Sequence, residues 1–579
     1  MASRKGAAHV VTTKRHYKGR TYTSHLLRRS YRVDGKVKNE TLGNLSHLPE
    51  PLIDLIRRSL KGETFVPASE RFEKVSSFLH GHVQAVRTAM ARLSFEQLIG
   101  GCRSRERDLV CAMVAARIVA PHTKLATTRW WHTTTLAEDL GVFDATEDDL
   151  YAAMDWLLER QDRIEKKLAA RHLERGGLVL YDLTSSYFEG TTCPLARLGH
   201  NRDRKKGKLQ VNYGLTTDPR GCPVAVSVFE GNVTDAATLE GTVTKLREEF
   251  GIDRLVLVGD RGMISHKAIE EDLGEIEGLS WITALKSAQI RTLVEGGGLQ
   301  LGLFDKRNLF EFRHPDYPGE RLVACRNTEL GRLRAHKRQS LLEATAKELE
   351  KVRAMVERGR LRGADAIGLR VGRVVNKYKV AKHFDVEIKD DSFAYVVNKR
   401  RVAAEAALDG VYVIRTSLPA AKMTAAQAVR SYKSLANVER AFRSLKTVDL
   451  KVRPIHHRLA DRVRSHIFLC MLAYYVEWHM REAWRPLLFA DEEVERKKRR
   501  DPVAPAKRSA SADEKALTKK RADGGPAHSF STLLQELSAI VRNVCTVPGD
   551  GDDRPTFQLV TTPNNTQRRA LDLLATIQP

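Results

Sequence analysis

At 579 residues the chain exceeds one ordinary domain, and at ~100–200 residues per domain it divides into three or more structural units. Lys and Arg number 97 against 72 Asp and Glu, and the resulting charge of +25 points to a polyanionic partner such as nucleic acid, although ribosomal, chromatin and membrane-surface proteins are equally basic and the charge alone does not choose among them. Seven scattered cysteines with no CxxC pair exclude a disulfide framework, read as reduced thiols and offer no visible structural zinc site.

The start, MASRKGAAHVVTTKR, is charged but lacks the apolar stretch of a signal peptide. The longest apolar run, 467–476, is about half the length a membrane-spanning helix requires. The expectation is a soluble, cytoplasmic protein with no membrane partner.

Residues 1–65 form a basic, β-rich element. Its strand-like runs 22–31 and 36–43 flank Asp34-Gly35, a pair suited to the positive φ of a tight hairpin turn. Lys14, Arg15, Lys18, Arg20, Arg28, Arg29 and Arg32 make this β hairpin a surface for DNA backbone or an ordinary solvated face. Residues 66–177 turn helical, with Leu150, Met154, Leu157, Leu158 and Ile164 at near-helical spacing in one predicted helix over 149–173. This is assigned as an all-α, DNA-binding domain. Trp130-Trp131 beside Arg129 has two readings, base stacking and core, and core is preferred for paired tryptophans in a helical domain.

Residues 178–287 begin with LVLYDLTSSYFEG. Leu178 to Tyr181 do not alternate with polar residues, so their strand is expected to be covered on both faces. Asp182 at its end then needs a donor, a cation or a metal to offset lost hydration. A basic loop, HNRDRKKGK at 200–208, leads into a hairpin, QVNYGLTTD and CPVAVSVFEG, turning at Pro219-Arg220-Gly221. Asn232 to Asp235 supply capping residues for a helix through Leu239, Val243 and Leu246 to Phe250. A second buried strand, RLVLVG at 254–259, ends on Asp260. This order predicts three antiparallel strands extended by a parallel one through a helical crossover, so Asp182 and Asp260 stand on strands that can be neighbours. Each aspartate alone reads better as a turn or cap, and it is their company that favours a site.

After an expected last sheet strand at 279–285, residues 288–418 read as a partly β insertion subdomain. It comprises 310–327, a charged helix over 328–360, and strand-like pieces at 377–385, 393–397 and 410–416. Residues 419–487 open on a capping-box pattern, Thr424 and Gln427, that starts a predicted helix over 424–446. At about 100° per residue Leu435, Val438, Phe442 and Leu445 form an apolar stripe, with Tyr432, Glu439, Arg443 and Lys446 along its edge. His456 and His457 point to different faces and, with His466, have no Cys or acidic partner at ligand spacing, so they read as structural or phosphate-facing. Residues 488–529 lack packing residues and are expected to be a disordered basic linker. Residues 530–579 form an α-rich end with helices at 530–544 and 566–577 and a strand at 557–561.

YDLTSSYFEG, VGDRGM, and Tyr432 followed by NVERAFRSLK resemble, in that order, the three carboxylate motifs of the DDE transposases of bacterial insertion sequences. The likeness is to the branch with a Tyr-Arg-Glu-Lys signature, and RPIHHRLADRVRSHIFLCMLAYY is similar to that group's final helix region. It spans roughly 145 to 485. Leu435 stands where the signature has its arginine, and Arg443 on the next turn is the candidate substitute.

The resemblance implies an α/β, ribonuclease H-like catalytic core interrupted before its glutamate by the β insertion. It implies Asp182, Asp260 and Glu439 as catalytic metal ligands for two Mg²⁺ ions, Mn²⁺ being an acceptable substitute, with Asp182 bridging the pair. Tyr432, Arg443 and Lys446 would touch phosphates beside the scissile bond, with Arg261, Arg202, Arg204, Lys205 and Lys208 where DNA enters. The implied reaction cuts the element's ends and joins their 3′ hydroxyls to target DNA. Its partners are double-stranded DNA, as terminal inverted repeats and target, and a second copy of the chain in a synaptic complex at the bacterial nucleoid. Two rivals use the same residues: a structure-specific nuclease of the same fold, and a catalytically inactive DNA-binding relative. A carboxylate-pair glycosidase is remote, because the charge is wrong and the acids form a metal-type triad.

Overall fold

The computed structural model describes the chain apart from residues 1–5, 34, 64, 66–71, 301, 303, 305–307, 548–553 and 579, and apart from the side chains of 497 and 498. Asp34 of the expected hairpin turn therefore lies outside the described residues. The chain divides into two units, one of residues 1–77 with 543–559 and one of 78–542 with 560–579.

In the first unit, β1 (Ala8–Tyr17), β2 (Arg20–Val33) and β3 (Lys36–Asn44) form an antiparallel sheet. The expected hairpin is its second half. β1 escaped notice because its polar end, TTKRHY, is exposed throughout and carries no apolar alternation. β4 (Glu73–Leu79) is a strand inside the stretch expected to be all helical, and it joins a second three-stranded sheet described below.

The second unit begins with helices. The predicted helix over 149–173 is two helices, Glu147–Leu158 and Gln161–His172. Arg160 leaves helical geometry between them (φ −105°, ψ 0°) while its guanidinium stacks on the Trp156 ring at 4.0 Å. Trp131 is fully buried, as the core reading expects, and Trp130 is half-buried beside it.

The remaining strands are β5 (Leu178–Tyr187), β6 (Gln210–Thr217), β7 (Pro223–Glu230), β8 (Leu255–Val258), β9 (Leu279–Ala284), β10 (Leu309–Phe312), β11 (Arg321–Arg326), β12 (Phe384–Ile388), β13 (Phe393–Val397), β14 (Val411–Thr416), β15 (Val541–Thr546) and β16 (Thr556–Val560). Eight make one mixed sheet in the order β10-β11-β14-β9-β8-β5-β6-β7, and β16-β15-β4 make the second three-stranded sheet. β5, β8 and β9 run parallel at the centre of the large sheet. The other neighbours are antiparallel.

β9 is consequently an interior strand and not the last one. β10, β11 and β14, expected in the insertion, extend this same sheet, because β14 supplies the edge that β9 leaves unpaired. What stands apart lies between β11 and β14: helices Thr328–Glu357 and Ala364–Tyr378 and the hairpin β12–β13, sharing a core of Leu349, Val352, Ile367, Val371 and Phe384. The piece expected as a strand at 377–385 is the end of a helix, a 3₁₀ turn and only then β12. Ile367 and Val371 hold helical spacing on this core, and Lys379 in the left-handed region stops the helix.

The even-numbered residues of β5 and the odd ones face different cores. Leu180 packs with Val258, Val438 and Phe442, whereas Val179, Tyr181 and Leu257 pack with Leu239 and Val243 of the crossover helix. The helix Ala460–Ala483, buried on nearly every side, covers the first of these cores.

The stretch 488–529 is folded, contrary to expectation, with helices Val494–Arg499 and Ala510–Thr518. Lys515 pairs with Glu492, Ser509 donates to Asp491 at 2.8 Å, and Val503 is buried in the main core. The helix expected over 530–544 ends at Ser538, since the β-branched residues after it enter β15. Among the described residues no single helix is long and apolar enough to cross a membrane.

Candidate active site

In the parallel pairing of β5 with β8, Leu180 stands opposite Val258. Asp182 follows two residues later in β5, on the face that Leu180 and Val258 share, and Asp260 lies two residues beyond the end of β8. That face is covered by the helix Leu435–Arg443, which buries Val438, Ala441 and Phe442 and sets the Phe442 ring edge-on to Tyr213 at 5.9 Å. Glu439 lies on the exposed edge of this helix. The result is one open cleft of about 650 Å³ lined by Asp182, Asp260 and Glu439, and also by Tyr432, Arg443, Lys446 and Arg202.

The helix predicted over 424–446 has the expected Thr424–Gln427 capping box but is not continuous. It breaks at Ser434, whose hydroxyl bonds the Ser431 carbonyl, and beyond Arg443 it widens into a π turn, Ser444–Val448. That turn carries Lys446 inward. Its Nζ donates to Thr184 Oγ1 and to Asp203 Oδ1, both at 2.9 Å, and burial lowers its proton affinity while Asp203 opposes that. Lys446, expected as a phosphate contact, is therefore already partnered within the protein. Asp203, with a side chain 2% exposed, also takes the guanidinium of Arg453 and the Tyr187 backbone N–H at 2.9 Å.

Asp182 is not at a strand end but inside β5, where it accepts from the Leu183 N–H at 2.8 Å. Burial pushes its carboxyl up to about 7; the neighbouring charges of Asp260 and Asp235 add to the shift, and Leu183 and Arg202 oppose it. The Tyr432 hydroxyl donates to Asp260 Oδ1 at 3.3 Å, and burial together with that carboxylate raises the phenol's proton affinity. A methyl group on Gly262 would stand 3.7 Å from Asp260 Oδ2 and 4.0 Å from Asp235 Oδ2, so these two carboxylates converge from different segments. The donor set is entirely oxygen, which fits a hard divalent cation such as Mg²⁺ or Mn²⁺.

Three cleft residues escaped sequence reasoning. Asp235, read as a helix cap, makes no capping bond and instead pairs with Arg202 at 2.5 Å. Asp203 was hidden among the cations of HNRDRKKGK, and Arg453 carried no signal beyond its place in RPIHHR. Of the other expected DNA contacts, Arg204, Lys205, Lys208 and Arg261 are exposed outside the cleft lining. Lys208 is spent on Glu189 at 2.9 Å, and Lys205 sits 5.7 Å from the Tyr187 ring. Leu435 lines the cleft where the signature would have an arginine, with Arg443 beside it. The His457 and His466 rings lie 5.0 Å apart, tilted by 53°, and burial lowers His457 to about 3.

A family model described as "Transposase DDE domain" matches residues 178–476, from the first residue of β5 into the long buried helix. A second, described as the N-terminal domain of IS1634 family transposases, matches residues 10–69. No curated protein matches the chain. A cryo-EM structure of the piggyBac transposase synaptic complex with hairpin DNA is similar at a TM-score of 0.34 and 9% identity, over 79% of this chain and 76% of that one. A likeness that loose carries no argument.

Proposed function

This chain belongs to the DDE transposases, enzymes that cut and transfer DNA, and from that premise we propose that it cleaves the ends of a bacterial insertion sequence and joins the 3′ ends to target DNA. The observation that carries the reading is the pairing of Leu180 with Val258, which sets Asp182 and Asp260 level beneath the helix of Glu439. On this reading the large sheet and its covering helices are a ribonuclease H-like core, and residues between β11 and β14 are its insertion.

Asp182, Asp260 and Glu439 would hold two Mg²⁺ ions, replaceable by Mn²⁺, which supply Lewis acidity for in-line attack on phosphorus by water and then by a DNA 3′ hydroxyl. The chain's own groups do the rest. Tyr432 aims Asp260 through its hydroxyl. Arg443, exposed at the cleft edge, meets a phosphate beside the scissile bond, in place of the arginine that Leu435 lacks. Arg202 holds Asp235 against the cleft, and the Lys446–Asp203–Arg453 network fixes the wall that carries Thr184. Arg204, Lys205 and Arg261 add exposed charge along the DNA approach, and Lys208 joins them by exchanging Glu189 for phosphate. Assembly of two chains on paired ends, at the nucleoid, completes the proposal.

Asp260→Asn and Glu439→Gln are each expected to abolish end cleavage in Mg²⁺ while gel-shift affinity for the ends stays within about twofold. Strand transfer by either variant would overturn the assignment. Cleavage by the wild type without any joined product would favour the structure-specific nuclease.

A further inference from the structure

The spacing of the cysteines offers no zinc site, yet the fold brings Cys222 together with two histidines from distant segments. One donor atom each from His172, Cys222 and His479 lies within 4.8 Å of the other two, and Cys222 Sγ stands 3.8 Å from His479 Nε2. In a tetrahedral zinc site, with metal–sulfur bonds of ~2.3 Å and metal–nitrogen bonds of ~2.0–2.1 Å, donors stand roughly 3.6 Å apart. The observed separations are within a small side-chain adjustment of that.

We propose that His172, Cys222 and His479 form a structural site for a borderline-soft divalent ion of the Zn²⁺ class, separate from the all-oxygen cleft. Thiolate and imidazole are the ligands such an ion prefers, and a cleft of carboxylates is not. The surroundings resemble a supporting shell. The Tyr475 hydroxyl lies 3.1 Å from His172 Nε2, a contact of the kind that orients a ligating ring. Asp218 accepts from the backbone N–H groups of Arg220 at 2.8 Å and Cys222 at 2.9 Å, and its charge is met by the Arg220 guanidinium at 2.7 Å. A pocket of about 470 Å³ lined by His172 and His479 leaves room for water as a fourth ligand.

The three ligands come from three separate elements. His172 ends the helix Gln161–His172, Cys222 closes the β6–β7 turn, and His479 sits in the helix Ala460–Ala483. The turn in question presses on the helix of Glu439: Asn437 Nδ2 donates to the Pro219 carbonyl at 2.9 Å, and a methyl group on Gly221 would come 2.8 Å from Asn437 Cβ. An ion here braces the floor on which that helix rests. A bare S–H···N contact in the core would occupy the same space without taking up metal.

The full-length chain, loaded with Zn²⁺ and dialysed into metal-free buffer, is expected to retain one zinc per chain by elemental analysis. Asp182→Asn should retain it and Cys222→Ser should not. Loading with Co²⁺ should give tetrahedral visible bands and a thiolate charge-transfer band that oxygen ligands cannot produce. His479→Gln should remove the visible bands and Cys222→Ser the charge-transfer band. Should the variants fail to fold, the wild-type cobalt spectrum decides alone. Absence of the charge-transfer band from the wild type, or its survival in a folded Cys222→Ser protein, overturns the proposal.

Discussion

Asp182 concentrates the physics of the site in one side chain. Its ordinary value of 3.8 rises to about 7, chiefly because burial disfavours the charged form. A carboxyl whose folded-state value is raised contributes stability that is fully present below its unfolded value and is lost as pH rises through the folded one. Metal-free Asp182→Asn should therefore be more stable to unfolding than the wild type near pH 8, by on the order of 1–4 kcal/mol, with the gap closing toward pH 4. Millimolar Mg²⁺ should raise the wild-type melting temperature and leave the variant's unchanged. Parallel melting profiles across that range would show that Asp182 is not held against its own charge. Lys446 makes a second residue-scale test. Its side chain is 10% exposed and pairs with a buried Asp203, so Lys446→Met should cost about 2–3 kcal/mol in urea unfolding. A lysine that only faced phosphate would lose DNA affinity and no stability.

At the scale of elements, the strands were legible wherever apolar residues ran without interruption. The runs LVLYDL and RLVLVG, the turn at Pro219-Arg220-Gly221 and the Thr424–Gln427 capping box all stand where local pattern puts them. What failed depends on contacts between distant segments. Nothing local to 279–285 marks β9 as interior, because its far neighbour, β14, lies more than a hundred residues on. Composition made 488–529 look unfoldable, since its order comes from a few scattered contacts, the pairing of buried Lys515 with Glu492 and the burial of Val503 among them. The helix of Glu439 read as continuous because a Ser434 break and a π turn leave the apolar period almost intact. Its seating on the β6–β7 turn gives a test. Gly221 has φ +90° and no space for a side chain, so Gly221→Ala should destabilise by about 1–3 kcal/mol and reduce cleavage further than the stability loss explains. Unchanged cleavage in a folded Gly221→Ala protein would separate the turn from the catalytic helix.

For the molecule as a whole, charge and site agree. A net +25 is available for phosphate neutralisation in the proposed complex with DNA. End binding should weaken steeply with salt, by ~10³-fold or more between 50 and 200 mM if about six or more phosphates are neutralised. A flat salt response would remove DNA as the polyanion this charge serves. The candidate triad was readable in the sequence as three separated motifs, whereas Asp203, Asp235 and Arg453 became visible only once the fold brought them beside it. The central claim, that Asp182, Asp260 and Glu439 cut and join DNA ends, is tested most directly by incubating the purified chain with its gene-flanking DNA and Mg²⁺ on a denaturing gel. The prediction is cut 3′ ends and joined products from the wild type and neither from Asp260→Asn. Intact DNA in every lane, or the same products from the variant, would contradict it.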